Sequence, residues 1–471
     1  MRRWLAGGLG LVIAVAALLL ALGGTLDRTS SRDATPAGGR DRIRPVSTRH
    51  RPATTTHRAR PATTATTPTS PTLTPEASRP HGRGETTLVR ALRRELAAAG
   101  RAGAQYGALV YDISSGQALF AAHPTVARPP ASVEKIWTTV ALMDRLGPAA
   151  RLQTVVLGTG RQHGSVWRGN LYLRGGGDPT FGDAGFNVVW NHGEGATATR
   201  LVSELLRHGI RRVTGHIYAD ASLFDGERGG LITGQKPDIP DLGGQLSALT
   251  YDHGTTLKHY DPATFTVHEL ALTMRSSHIR VTAGTRTRHT PDSAQLLASV
   301  SSPTMLQMTK LMDVPSDDLF AELFAKQLGV LYGGGGSIGA GAKVISATIA
   351  SRYELHPVIL DGSGLAIGDR TTPLQIVELL RDLWGSPVGT ELSDSLPVTG
   401  VSGTVTTIGA RTPAQGRCQA KTGSLTDVTN LAGYCRTRSG EKLAFGIFID
   451  GPPNGTGFTL ESRMVGAIAR Y

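Results

Sequence analysis

The chain has 471 residues, with 49 Lys and Arg against 37 Asp and Glu for a formal net charge of +12. The first 84 residues hold 13 arginines and 4 acids, so +9 of the excess lies there and the other 387 residues carry about +3. This length allows two to three domains, and a basic tail on a near-neutral body excludes an extended nucleic-acid-binding face.

Met1-Arg2-Arg3 precedes an uncharged apolar run over 5–22. A positive flank before an apolar stretch of about 18 residues reads as an export signal, or as an anchor near the lower limit for a membrane span. Ala21-Leu22-Gly23 is a small-x-small cleavage candidate. Residues 1–26 are therefore expected to be a signal peptide or membrane anchor. The bulk of the chain is expected outside the cytoplasm, secreted or held at the cytoplasmic membrane. Residues 27–84 are rich in Thr, Pro, Arg and Ala, cannot bury a core, and are expected to be a disordered linker. This linker is a solvated spacer, or its arginines associate with anionic cell-wall polymer or a membrane surface.

Folded sequence begins near Glu85. The spacing of Leu88, Leu92 and Leu96 predicts a helix over 87–99, closed by Gly100. Residues 106–111 and 118–121 read as strands around Ser114-Ser115-Gly116. Pro129-Pro130 then introduces a periodic run of Val133, Ile136, Trp137, Val140, Leu142, Met143 and Leu146, stopped by Gly147-Pro148. This predicts a helix over 131–146 of about four turns. From 153 to 290 strand-like runs dominate, at 154–157, 170–173, 212–219 and 278–283, with helices expected over 198–207 and 262–274. Helical pattern returns at 294–300, 303–312, 319–331 and 341–353. Strands at 418–421, 430–436 and 443–449 and a helix over 459–471 close the chain. The expectation is a core in two parts, 85–152 and 291–471, with an inserted α+β region over 153–290.

The chemistry-bearing stretch is Ser132-x-x-Lys135. Three residues apart on a first helical turn, the two side chains share one face. A serine nucleophile needs a base, and a buried lysine near positive charge can supply one. The helix N-terminus adds free N–H groups where an oxyanion would form. A second copy, Ser439-Gly440-Glu441-Lys442, lies in a polar turn and is read as a chance match. Gly334-x-Gly336-x-x-Gly339 follows a helix rather than a strand and is read as a loop, not a dinucleotide fingerprint. No His-Glu-x-x-His or comparable ligand cluster occurs among the 14 histidines, so neither a metal site nor a cofactor is expected. His253 and His268 are read as surface or satisfied core residues.

Two further segments complete a constellation. Ser316 and Asp318, in the loop Pro315-Ser316-Asp317-Asp318, can point into one cleft to relay a proton or hold a substrate amide. Lys421, in Lys421-Thr422-Gly423-Ser424 at the end of a strand, supplies a cation that opposes protonation of Lys135 and attracts a substrate carboxylate. Thr422 and Ser424 offer hydroxyls to that carboxylate, and Gly423 lets a substrate backbone lie close. The N–H groups of Ser132 and Ser424 are oxyanion-hole candidates. If the hairpin turns at Thr426-Asp427, Cys418 and Cys435 face each other, and a disulfide is expected to brace the Lys421 strand.

At these residues the chain resembles the class C low-molecular-mass penicillin-binding proteins, the D-alanyl-D-alanine carboxypeptidases and endopeptidases. The likeness extends over 85–471. It includes Leu173-Arg174-Gly175-Gly176-Gly177-Asp178-Pro179, Asp220-Ala221-Ser222-Leu223-Phe224, Asp361-Gly362-Ser363-Gly364-Leu365, Ser395-Leu396-Pro397-Val398-Thr399-Gly400 and Leu431-Ala432-Gly433-Tyr434. The resemblance implies an α+β fold of the α/β class, a serine β-lactamase and penicillin-binding-protein-like transpeptidase core with an insertion after the nucleophile helix. It implies Ser132 as nucleophile, Lys135 as its base, Ser316 as relay and Lys421 as carboxylate anchor. It also implies a peptidoglycan stem peptide ending in D-Ala-D-Ala as substrate and β-lactams as covalent inhibitors. Asp318 stands where the family usually has Asn, and the insertion is shorter than usual. A weakly active or non-catalytic wall-peptide binder, and a β-lactamase or esterase on the same core, are the rival readings.

Overall fold

The run Leu443-Ala444-Phe445-Gly446-Ile447-Phe448-Ile449 lacks polar alternation, the pattern of a strand covered on both faces. The computed structural model describes residue 73 and residues 83–229, 242–254, 261–451 and 454–471, and places this run in the middle of a five-stranded antiparallel sheet. The expected signal or anchor over 1–26 lies outside the described residues, as does nearly all of the 27–84 linker. Among the described residues no helix is long and apolar enough to cross a membrane.

Helix α1 (Arg83–Arg101) leads into the hairpin β1 (Gln105–Asp112) and β2 (Gln117–Ala122). A 3-10 turn (Ala131–Glu134) then opens α2 (Lys135–Arg145). The insertion follows as β3 (Gln153–His163), β4 (Val166–Arg174), α3 (Ala184–Trp190), α4 (Ala198–Arg207), β5 (Arg212–Val213), β6 (Ile217–Asp220), α5 (Pro262–Ser276), β7 (Arg280–Val281), β8 (Thr285–Thr287) and β9 (Gln295–Ser301). The chain returns to the core through α6 (Met305–Asp313), α7 (Asp318–Tyr332), α8 (Ile338–Tyr353), α9 (Pro373–Leu383) and α10 (Pro387–Ser395). It closes with β10 (Cys418–Leu425), β11 (Val428–Arg436), β12 (Lys442–Asp450) and α11 (Asn454–Ile468).

The core sheet runs β10-β11-β12-β1-β2. Alternation along β12 divides its side chains between two apolar layers. Leu443, Phe445, Ile447 and Ile449 pack with Leu88, Leu92, Met464 and Ile468 of α1 and α11. Ala444 and Phe448 face the other way, among Trp137, Val140, Phe320 and Ile376. Gly446 lies on that second face, where a Cβ would come within 2.6 Å of the Ile376 side chain, so its bareness lets α9 close on the sheet. Cys418 and Cys435 stand in register across β10 and β11 and are joined by a disulfide.

The inserted sheet runs β7-β5-β4-β3-β9, with β6 pairing both β4 and β8. Leu201 and Leu205 of α4 and Val267 and Leu270 of α5 cover one face, against Trp167, Leu171 and Val213. The apolar run expected as one strand over 212–219 is two strands, β5 and β6, because residues 214–216 leave the ladder.

Residues 294–300, expected as helix, form strand β9, which pairs with β3 and closes the insertion at Ser301 rather than at 290. Leu, Ala and Gln favour helix locally, but antiparallel pairing with β3 overrides a weak propensity. Leu73 is buried in the core, its N–H held by Glu378 Oε1 at 3.1 Å, and α1 begins at Arg83.

Candidate active site

Ser132 does not lie on the α-helix expected over 131–146 but on the 3-10 turn before it. With three residues per turn, positions i and i+3 eclipse, so Ser132 and Lys135 stack one above the other. Lys135 Nζ donates to Ser132 Oγ at 2.9 Å. The turn is entered through Ala131 at φ 47°, a left-handed residue with a Cβ, which costs about 1–3 kcal/mol. That cost is held in place from several sides. Asn430 Nδ2 donates to the carbonyls of Pro129 and Pro130, at 2.8 and 2.9 Å. Gly364 lies flush against the Ala131 carbonyl, where a Cβ would be 2.0 Å away.

Lys135 is fully buried and has two other partners. It donates to Asp318 Oδ1 at 2.5 Å and to the carbonyl of Ser363 at 2.9 Å. Ser363 belongs to the turn 361–366, a likeness noted in the sequence without a role. Asp361 carboxylate oxygens accept the N–H groups of Ser363, Gly364 and Ala366, and Glu322 accepts those of Gly362 and Ser363. The turn is thus tied down by two buried carboxylates and presents one carbonyl to the base.

Ser316 sits in the left-handed region at φ 66°, again at about 1–3 kcal/mol. Its Oγ accepts from Lys421 Nζ at 2.7 Å. Asp317 is the N-cap of α7, its Oδ1 accepting from Phe320 N–H at 2.9 Å, and Asp318 begins the helix. Lys421 is fully buried within β10 rather than at its end. Gly423 lies against the nucleophile turn itself. A Cβ there would lie 2.3 Å from the Pro130 carbonyl oxygen, so this glycine seats the strand on the turn that carries Ser132. Thr422 Oγ1 donates to Thr404 Oγ1 at 2.7 Å, and Ser424 is exposed.

Strand β10 forms the edge of the sheet. Ala420 N–H donates outward to Pro397, and by two-residue alternation the N–H groups of Thr422 and Ser424 also point away from β11.

Burial dominates the electrostatics. It pushes Lys421 down to about 7, reinforced by the nearby charge of Lys135 and opposed by Asp313 and Asp318. Burial also raises Asp318 above the usual carboxylate range, against the pull of Lys135. Asp313 rises to about 6 by burial, with hydrogen bonds from Thr139 and Ser395 opposing. Asp318 is ion-paired with Lys135.

The decoy Ser439-x-x-Lys442 lies in the turn before β12, far from any helix start. Gly334 and Gly336 lie in the connection between α7 and α8, and Gly339 is in the first turn of α8. His268 is a surface residue, whereas His253 meets Asp317. Among the described residues no group of His, Cys, Asp and Glu is placed to hold a metal ion.

A model of the D-Ala-D-Ala carboxypeptidase 3 (S13) family matches residues 88–237 and 240–471. The chain belongs to that family. This S13 carboxypeptidase is 30% identical over 366 residues to a carboxypeptidase of Mycobacterium tuberculosis, covering 74% of this chain and 76% of the relative. It is 30% identical over 359 residues to carboxypeptidase DacB of Mycolicibacterium smegmatis, covering 72% and 75%. Its fold is that of penicillin binding protein 4 from Haemophilus influenzae, with a TM-score of 0.69 at 19% identity over 80% of this chain and 99% of that one. The penicillin-binding-protein-like core with an insertion after the nucleophile helix is therefore its architecture.

Proposed function

We propose that the S13 carboxypeptidase acts through an acyl-enzyme on Ser132, releasing the terminal D-Ala of a peptidoglycan stem peptide that ends in D-Ala-D-Ala. The observation that carries this reading is the 2.9 Å contact of Ser132 Oγ with a fully buried lysine amine. The substrate lies as an added strand along the open edge of β10. Its terminal carboxylate is drawn to Lys421, with Thr422 and Ser424 beside it.

Ser132 Oγ attacks the penultimate D-Ala carbonyl, and Lys135 takes the proton. For that, Lys135 must be the free amine, and Asp318 is the group that holds its proton. A carboxyl raised by burial, 2.5 Å from the amine, is suited to share one. The Ser132 and Ser424 N–H groups receive the oxyanion. Ser316, bonded to Lys421, passes a proton to the departing D-Ala amine. Water then hydrolyses the ester and restores Ser132. A cross-linked peptide would be cut by the same acyl-enzyme with a longer leaving group, an endopeptidase reaction. No step calls on a cofactor. β-Lactams are expected to acylate Ser132.

The Lys135–Asp318 pair also supports a second reading, a weakly active homologue in which Lys135 stays cationic. One experiment separates them: incubation with labelled penicillin, followed by peptide mapping. A covalent adduct on Ser132, absent in Ser132→Ala with a loss of about 10^4-fold or more in turnover, is expected. Wild-type enzyme that takes no label while still binding wall peptide would overturn the enzyme reading.

We infer export from the cytoplasm, because the 5–22 run reads as a signal or anchor and a disulfide persists in oxidising compartments. The basic linker over 27–84 would then tether the enzyme near cell wall or membrane.

A further inference from the structure

The Ser316–Asp318 turn is gripped from two sides. On the core side, Asp317 N–H donates to the Met312 carbonyl at 2.7 Å, and Thr404 N–H donates to Val314 at 3.1 Å. On the other side stands one residue of the insertion. His253 Nε2 lies 2.6 Å from Asp317 Oδ2, across 64 residues of sequence. Asp317 therefore divides its carboxylate, one oxygen capping α7 through Phe320 N–H and the other meeting His253.

His253 is presented with unusual care. It has φ 62° and follows Asp252 at φ 49°, two left-handed residues in succession that both carry side chains. Asp252 N–H donates to Phe181 at 3.2 Å, and Asp252 Oδ1 accepts from Asp183 N–H at 2.7 Å. Gly244 lies against the His253 carbonyl, where a Cβ would be 2.2 Å away, and Gly243 faces the ring edge. The imidazole leans on Phe320, ring centroids 5.8 Å apart. The backbone there sends the His253 side chain out of the insertion to Asp317 and Phe320.

We infer that His253 is a positioning residue: the insertion, through its contact with Asp317, sets the conformation of the Ser316–Asp318 turn and so aims Ser316 at Lys421 and Asp318 at Lys135. Two groups of the acylation machinery depend on that turn, and both are flanked by the residue His253 holds. Burial pulls the imidazole down, but the charge and hydrogen bond of Asp317 more than restore it, so the ring keeps its proton above the ordinary histidine range and can donate.

The inference rests on the acyl-enzyme reading, and full-length protein tests both together. Acylation by labelled penicillin and hydrolysis of a D-Ala-D-Ala peptide are measured for wild type, His253→Leu and His253→Gln, with His268→Gln as a control for loss of an exposed histidine. His253→Leu is expected to lower kcat by about tenfold to hundredfold, the cost of misplacing reacting groups by an ångström or so. KM stays within about threefold, since Lys421, Thr422 and Ser424 are untouched. His253→Gln, which can still donate to Asp317, is expected to recover most of the loss. The double variant His253→Leu/Asp317→Asn should lose no more than the worse single variant, because the two act as one unit. If wild type acylates and His253→Leu does so at the wild-type rate, the inference is overturned and the acyl-enzyme reading stands. It is overturned too if His253→Gln is as slow as His253→Leu, or if the loss matches a lower folded fraction by near-UV circular dichroism. If wild type fails to acylate, the acyl-enzyme reading falls and takes this inference with it.

Discussion

The two sheets of this enzyme are built to different standards. The core sheet has helices on both faces, and its central strand is buried along its whole interior. The inserted sheet is covered by α4 and α5 on one face. On its other face a small cluster of Leu157, Tyr172 and Tyr218 is buried, while Arg161 pairs across from Arg168, and Arg212 from Arg280, all exposed. Lys135 and Lys421, the two lysines of the candidate active site, both have 0% exposure and both belong to the two-sided region. Lys421 titrates near 7 because burial keeps water from its amine, and a face with only a small buried cluster cannot exclude water around a motif in that way. What the insertion contributes to the site it contributes through the His253–Asp317 contact and through Phe224, Leu246 and Ala248, which pack against Leu319 and Leu323 at the start of α7.

Four substitutions or titrations can break or sharpen that contrast. The largest effect should come from Phe445→Ala, which empties space between the sheet and the α1/α11 layer. It is expected to cost about 3–5 kcal/mol in urea unfolding, whereas Leu296→Ala in the inserted sheet, 61% exposed, should stay within about 0.5 kcal/mol. Equal losses at the two sites would erase the distinction.

The disulfide comes next. Replacing Cys418 and Cys435 by serine opens a loop of separation 17 and should lower stability by about 3 kcal/mol, with penicillin acylation reporting whether β10 keeps its register. Then come the glycines. Gly423→Ala pushes a Cβ into the Pro130 carbonyl and should slow acylation by about a hundredfold, while Gly226→Ala in the insertion meets no atom within 4 Å and should leave the rate unchanged. A fast Gly423→Ala enzyme would show that the nucleophile turn can shift without harm.

The smallest effect is in the pH profile. Only protonated Lys421 can hold a carboxylate, so kcat/KM for a peptide with a free C-terminus should fall about tenfold per pH unit above about 7. A C-terminally amidated analogue should not show this limb. With Asp318 holding the proton, as the acyl-enzyme reading requires, Asp318→Asn should leave the limb in place, and a limb that moves to lower pH would mean Asp318 is ionised and Lys135 cationic. Stability has its own sign. Lys421 titrates near 7 when folded and near 10.5 when unfolded, so between those values the unfolded chain binds the extra proton and stability rises with pH.

Much of this was legible in the residues. Lys421 and Lys135 could be brought to one cleft on paper by chemistry alone, and Cys418 and Cys435 by counting along a hairpin. Strands β11 and β12 announced themselves through unbroken apolar runs. The helices α9 and α10 carried start signals the sequence reading does not use, a capping box of Thr372 with Gln375 and prolines at their first turns. Strand β9 was not legible, since a short Leu-Leu-Ala run fits either period until a partner strand is known.

The sequence by itself determined which groups could do chemistry, a serine and a lysine one turn apart, and on which strand the second lysine rides. Only the tertiary structure decided what they touch. Asp318 lies 183 residues from Lys135, and Ser363 lies 228 residues from it, so no spacing rule links them. The same holds for His253 and Asp317, and for Gly423 against the Pro130 carbonyl. Sequence periodicity reports the face of one element. Which faces meet, and which amine is buried beside which carboxylate, is settled when the two sides of the sheet close over them.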